Sequence, residues 1–170
     1  MKIATLISRL FDPFVMFGLS VVLIFWNTNQ LIPAIFLYLL LPFILFVIAW
    51  KIKLISNWDV TDRRERPRLL WTMFAIETVG TVFFHLTPII PYLCMLLGFI
   101  LITHFWKISG HTFASATFAG IIMQTYGLAW WPVLCVPFIV GWSRVYRHNH
   151  TLSQAIAGGI YPIVCMYFFL

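Results

Sequence analysis

Polar residues fall in a few short clusters along this chain, and the stretches between them are almost wholly apolar. A short basic lead, Met1 to Leu10, carries Lys2 and Arg9. Seven apolar segments follow, at roughly residues 13–28, 31–50, 69–86, 89–105 and 112–127, then from the Trp130-Trp131-Pro132 turn to about Tyr146, and finally roughly 152–170. Each is about as long as a helix that crosses a bilayer. None alternates polar and apolar positions as a barrel strand would. Backbone groups in lipid must bond within their own segment, so the segments are predicted to be α-helices. The expected architecture is an all-α integral membrane protein, a helical bundle of six or seven transmembrane helices in one domain over residues 1–170.

Local signals set the expected ends. Asp12-Pro13 reads as a helix start, because Asp caps and Pro suits the first turn. Asn27 to Gln30 reads as a turn, and Pro33 and Pro42 are expected kink sites in the second segment. The fifth segment is rich in small residues (Ala114, Ser115, Ala116, Ala119, Gly120), which allow close helix packing.

Composition agrees with the pattern. The chain is 62% apolar and 9% charged, where a soluble domain carries about 25% charged residues. Cys94, Cys135 and Cys165 lie inside apolar runs, show no disulfide or metal spacing, and are expected to be packing residues. The first apolar run lacks a small-residue cleavage site, so no removable signal is expected. The net charge is +6. In so apolar a chain this points to membrane topology and an anionic substrate, not to nucleic acid.

Counting seven spans puts the N-terminus, the Asp59–Arg68 loop, the Lys107–His111 stretch and the Arg144–His150 stretch on one side. All 11 Lys and Arg fall on that side. The positive-inside rule makes it cytoplasmic.

Two polar stretches flank the mostly apolar hairpin from 112 to 142: Lys107-Ile108-Ser109-Gly110-His111 and Ser143-Arg144-Val145-Tyr146-Arg147-His148-Asn149-His150. Two crossings return the chain to one face, so these stretches can meet. A helix beginning at Ser109-Gly110-His111 would offer N–H groups and its dipole to an anion, and Gly110 permits close approach. Arg144 suits bidentate phosphate binding. His111 is a candidate general acid. His150 is a candidate nucleophile, with Gln154 one turn later placed to fix its tautomer.

The spacing Ser143-Arg144, five residues, His150, three residues, Gln154 resembles the third signature of the type-2 phosphatidic acid phosphatase superfamily, which includes vanadium haloperoxidases. Ser109-Gly110-His111 resembles its second signature, and Arg66-Pro67 the end of its first. The resemblance covers roughly residues 53–165. It implies a metal-independent phosphatase with no cofactor, whose last histidine forms a phosphohistidine. Carried over, His150 is the nucleophile and His111 the acid. Arg66 and Arg144 clamp the phosphate, and Ser109 and Gly110 are donors. Three features differ from the family pattern. Asp59 stands where the family has a lysine, and Lys107 with Arg63 is the candidate replacement. Gln154 stands where the family usually has aspartate. An apolar hairpin separates the first two signatures.

The expected function is therefore hydrolysis of a lipid phosphate drawn from the membrane. Two other readings stay open. The loop Asp59 to Pro67 resembles the first aspartate motif of intramembrane aromatic prenyltransferases, which implies magnesium and a prenyl diphosphate. Gln154 and Asp59 also suit a non-catalytic lipid-binding subunit. In the plainer readings, Asp62 and Glu65 pair with the loop arginines, while His85, His104 and His148 are interfacial. Glu77, mid-segment with Thr81 one turn on, is either a functional carboxylate or a protonated one bonded to a neighbouring helix.

Overall fold

The computed structural model describes residues 2–169, all-helical with connecting turns. The expected ends of the lead at Met1 and of the last segment at Leu170 lie outside the described residues. The chain packs as two compact units, Met1–Leu23 with Ile108–Leu170, and Ile24–Lys107.

The first unit holds α1 (Lys2–Leu10), most of α2 (Pro13–Phe25), α7 (Gly110–Tyr126), a 3-10 turn (Leu128–Leu134), α8 (Cys135–Tyr146) and α9 (Leu152–Phe169). α7 is its centre and packs on both α8 and α9. Its small residues explain this: Ala114, Ala116 and Ala119 are fully buried, and Gly120 faces Met166 with no room for a Cβ. The lead is itself helical. Its Ala4–Ser8 face is buried, and α1 packs on α8. Ala4 and Ser8 lie one turn apart, so two small residues bring the helices close. Asp12 begins α2 as expected, its Oδ1 accepting from the Phe14 N–H at 3.0 Å.

The second unit holds α3 (Leu31–Ile35), α4 (Leu41–Lys51), α5 (Arg66–Phe83), a 3-10 turn (Thr87–Ile89) and α6 (Ile90–Phe105). α3 and α4 are joined by a π-helical stretch, Phe36–Leu40. Pro42 accounts for it. Proline has no N–H for the Tyr38 carbonyl and its ring crowds that carbonyl. The ladder widens instead, and the Leu41 N–H reaches back to the Phe36 carbonyl. The interruption anticipated at Pro42 thus takes the form of a π turn. Within this unit Glu77 and Thr81 are buried on one face of α5. The Thr81 hydroxyl donates to the Glu77 carbonyl at 2.6 Å, so the Tyr38 hydroxyl donates to Thr81.

Large apolar side chains cover the outer faces of the helices, among them Val79, Val82, Phe83, Phe105, Phe138 and Ile160. Polar ones sit inside, including Glu77, Thr103, Ser109, Thr112, Ser143 and Arg144. Among the described residues, four helices are long and apolar enough to cross a membrane: Lys2–Phe25, Leu31–Lys51, Thr87–Phe105 and Leu128–Tyr146. Leu152–Phe168 is a shorter apolar helix. α5 and α7 do not qualify on these grounds, α5 because it carries Arg66, Arg68 and Glu77. The three cysteines are free thiols, and Cys94 and Cys135 are exposed on their helices, not packed inside.

Candidate functional site

The polar end of the first unit is built from the C-terminus of α8 outward. Ser143 is buried and returns its hydroxyl to the Val140 carbonyl at 2.7 Å. Arg144 follows, 1% exposed. The helix then ends in a Schellman turn. The His148 N–H donates to the Val145 carbonyl at 2.9 Å, and the Asn149 N–H to the Arg144 carbonyl at 3.0 Å. His148 takes the left-handed position, with φ of 56°. The His150 N–H also points at the Arg144 carbonyl, at 3.4 Å. The interval from Arg144 to His150 is therefore one turn closed on itself, and it sets the His150 backbone N–H against the Arg144 carbonyl.

α9 begins immediately after, with a capping box. The Gln154 N–H donates to the Thr151 hydroxyl at 3.3 Å, and Gln154 Oε1 accepts from the Thr151 N–H at 3.1 Å. A backbone N–H can only donate, so the atom facing it is the amide oxygen. The same oxygen lies 3.2 Å from His150 Nδ1. An oxygen there makes Nδ1 the protonated nitrogen and leaves the lone pair on Nε2. Gln154 thus has two tasks, capping α9 and fixing the tautomer of His150.

The N-terminus of α7 meets this assembly. Ser109 is its N-cap, accepting from the Thr112 N–H at 3.4 Å. Ser109 is fully buried, and its own N–H donates to the Gln154 carbonyl at 3.2 Å. Its groups therefore shape the helix start and tie it to α9. Gly110 opens the helix, where the first N–H groups have no carbonyl partner within the helix. His111 is 7% exposed, and its Nε2 lies 3.5 Å from Arg144 Nη1. A guanidinium only donates, so His111 presents the Nε2 lone pair in this geometry. The other side of the same Nη1 is held by the Ser8 hydroxyl of α1, at 2.6 Å.

His111, Arg144, His150 and Gln154 thus come together from three helices, with Ser109 and Gly110 at the helix start beside them. A buried guanidinium, a helix N-terminus and two imidazoles are groups of the kinds that can bind an oxyanion and attack its central atom. No protein-family model matches the chain, and neither a curated protein nor a solved structure matches it.

The remaining expected phosphate ligands, Arg63, Arg66 and Lys107, belong to the second unit. Arg66 is buried at the first turn of α5, and its Nε donates to the Val60 carbonyl at 2.8 Å. Arg63 Nη1 donates to the Phe105 carbonyl, covering the C-terminus of α6. Lys107 is half-buried just after that helix, and Asp59 is half-buried in its loop. Asp62 and Glu65, expected to pair with the loop arginines, bond backbone and serine groups of the loop instead. Glu65 accepts from the Ser56 N–H at 3.0 Å and the Ser56 hydroxyl at 3.2 Å, and Asp62 from the Arg64 N–H at 2.9 Å. His104 accepts from the Trp71 indole at 2.9 Å. Among the described residues, no three His, Cys, Asp or Glu side chains gather as a metal-binding group.

Three residues of the site escaped the sequence reading. Thr151 was detectable, because Thr151-x-x-Gln154 is a capping-box pattern. Gly158 of α9, where an added Cβ would meet the Ser109 carbonyl, was half detectable as one of two adjacent glycines in an apolar run. Ser8 had no signal.

Proposed function

We propose that this chain is a multi-pass membrane phosphatase that hydrolyses a lipid phosphate through a phosphohistidine. It would be akin to the type-2 phosphatidic acid phosphatases. One observation carries the reading. Arg144 approaches His111 through its side chain, at 3.5 Å, and His150 through its carbonyl, at 3.4 Å, within one compact unit. Burial of an arginine beside two histidines and a helix start in so apolar a chain supports recognition of an anion such as phosphate.

The steps follow from the assigned lone pairs. The phosphoryl oxygens take the Arg144 guanidinium and the N–H groups at the start of α7. His150 Nε2 attacks phosphorus, and the bond from phosphorus to the lipid oxygen breaks. As the phosphate draws Arg144 onto itself, His111 Nε2 takes up a proton from the incoming phosphate monoester or from water, and then gives it to the departing alkoxide. Water then attacks phosphorus as His111 takes a proton from it, the phosphorus–Nε2 bond breaks, and phosphate leaves with the His150 lone pair restored. Gln154 holds Nδ1 throughout. The site lies at the Lys- and Arg-bearing ends of the segments, while the Gly127–Pro132 turn between α7 and α8 carries neither. The site therefore faces the cytoplasm. The lipid tail lies among the apolar outer faces.

The test is phosphate release by the purified protein in detergent. The panel would hold phosphatidic acid, phosphatidylglycerol phosphate, prenyl phosphates and prenyl diphosphates, with and without EDTA. Release that survives EDTA is the expected result. Turnover that appears only with magnesium would sink this reading and move attention to the Asp59–Pro67 loop. A second measurement concerns Gln154→Glu. Glutamate keeps the reach of the capping box and places a charge beside His150 Nδ1. Equal or higher kcat, by up to about tenfold, is expected, since the imidazolium-like transition state gains a charged partner. A fall of tenfold or more would argue against Gln154 as the group that orients His150.

A further inference from the structure

α1 lies outside the stretch that resembles a phosphatase, yet it delivers a polar atom to the centre of the site. Ser8 is 2% exposed, and its hydroxyl oxygen accepts from Arg144 Nη1 at 2.6 Å. The two residues are 136 positions apart in the chain. The usual behaviour of a buried serine in an apolar helix is to bond the carbonyl one turn back. Ser20 in α2 does so, donating to the Met16 carbonyl at 2.8 Å. Ser8 instead meets a guanidinium that is itself 1% exposed.

We propose that Ser8 is a positioning residue for Arg144, so that α1 is a working part of the phosphate site. The argument is one of donors and acceptors. A guanidinium has five N–H donors in a rigid planar fork and no acceptor. Buried, it needs acceptors placed for it, and each one fixes where the rest of the fork points. The Ser8 oxygen lies within a short, charge-assisted hydrogen bond of Nη1. The same nitrogen faces His111 at 3.5 Å. Ser8 therefore sets the angle of the fork against the general acid. The α1–α8 contact that allows this is made through Ala4 and Ser8, the two buried residues of α1. The effect on turnover rests on the phosphatase reading; the effect on phosphate binding does not.

The experiment measures thermal unfolding of the purified full chain in detergent against inorganic phosphate, with chloride at matched ionic strength as the control. A ligand that binds the folded state raises Tm, and the half-saturating concentration follows from the curve. Ser8→Ala is expected to raise that concentration about tenfold, the size expected for one lost hydrogen bond to a charged group. Ser8→Thr, which keeps the hydroxyl, is expected to stay within about threefold of the original protein on the same basis. With a lipid phosphate, KM should move with the phosphate constant in Ser8→Ala while kcat changes less. Equal phosphate affinity in Ser8→Ala and the original protein overturns the proposal. So does equal weakening in the Ala and Thr variants, which would assign the effect to packing. The absence of any phosphate response in the original protein overturns it as well. Phosphate binding that depends on Ser8, in a protein that hydrolyses no lipid phosphate, would sink the hydrolase and leave this proposal standing.

Discussion

His150→Ala is expected to abolish phosphate release from lipid phosphates, by about 10⁴-fold or more, since a nucleophile acts as a unit with its partners. Folding should survive. Gln154 still caps α9 through the Thr151 N–H at 3.1 Å, and the Arg144 carbonyl still holds the Asn149 N–H at 3.0 Å. A thermal melt close to that of the original protein would separate lost chemistry from lost structure. His111→Ala should behave differently. An alkoxide leaving from a lipid phosphate needs a proton, and loss of the acid should slow it by about 10²- to 10⁴-fold. A phenolate leaving from an aryl phosphate hardly needs one, so the same variant should keep most of its activity there. His150→Ala should fail on both substrates. If the two variants lose activity equally on both, His111 is not the acid. If His150→Ala still turns over, attack does not come from its Nε2.

The parts of this site that were readable from sequence share a property: their geometry is local. Thr151 and Gln154 are three residues apart and form one capping box. Ser109 caps the helix it begins. The spacing from Arg144 to His150 works because it is the length of a Schellman turn plus one residue, and the His150 N–H returns to the Arg144 carbonyl. The apolar hairpin from 112 to 142 was readable by its length, and the meeting of His111 with Arg144 follows from its return. What stayed hidden depends on distant packing. Ser8 looks like Ser20 in sequence, and only the approach of α1 to α8 distinguishes them. Arg63 was expected at the phosphate; its guanidinium instead covers the Phe105 carbonyl, a partner set by where α6 ends in space. Pro42 announced a break, but not that the ladder would widen to a π turn at Phe36–Leu40. Seven apolar segments could be counted, yet among the described residues four helices are long and apolar enough to cross a membrane on length and composition. Counting segments ignores where the charges of α5 fall once that helix begins at Arg66.

Gly158 and Gly159 are neighbours in one helix, and replacing each by alanine is expected to give opposite results. A Cβ at Gly158 would lie 2.6 Å from the Ser109 carbonyl oxygen and would also strike the Thr112 hydroxyl. Neither obstacle yields easily. The Ser109 backbone is pinned at 3.2 Å to the Gln154 carbonyl, and the Thr112 hydroxyl donates to the Ser109 carbonyl at 3.1 Å. Relief therefore means pushing α9 off the start of α7. Gly158→Ala should lower stability by about 2–3 kcal/mol, the range for an overpacked core. It should also cut phosphate release more than stability alone explains, because the displaced turn of α9 carries Gln154. A Cβ at Gly159 meets nothing within 4 Å. Gly159→Ala should then be neutral or stabilising by up to about 1 kcal/mol, since alanine loses less backbone freedom in a helix. The pair would be read by thermal unfolding in detergent beside a phosphate-release assay. Equal tolerance at both positions would mean that α9 does not sit against Ser109, and with it would go the coupling of Gln154 to the α7 N-terminus. The reason for expecting the contrast is that this site has little structure of its own. Its groups are held by the closeness of α7, α8 and α9, and at Gly158 that closeness leaves no room for a single carbon.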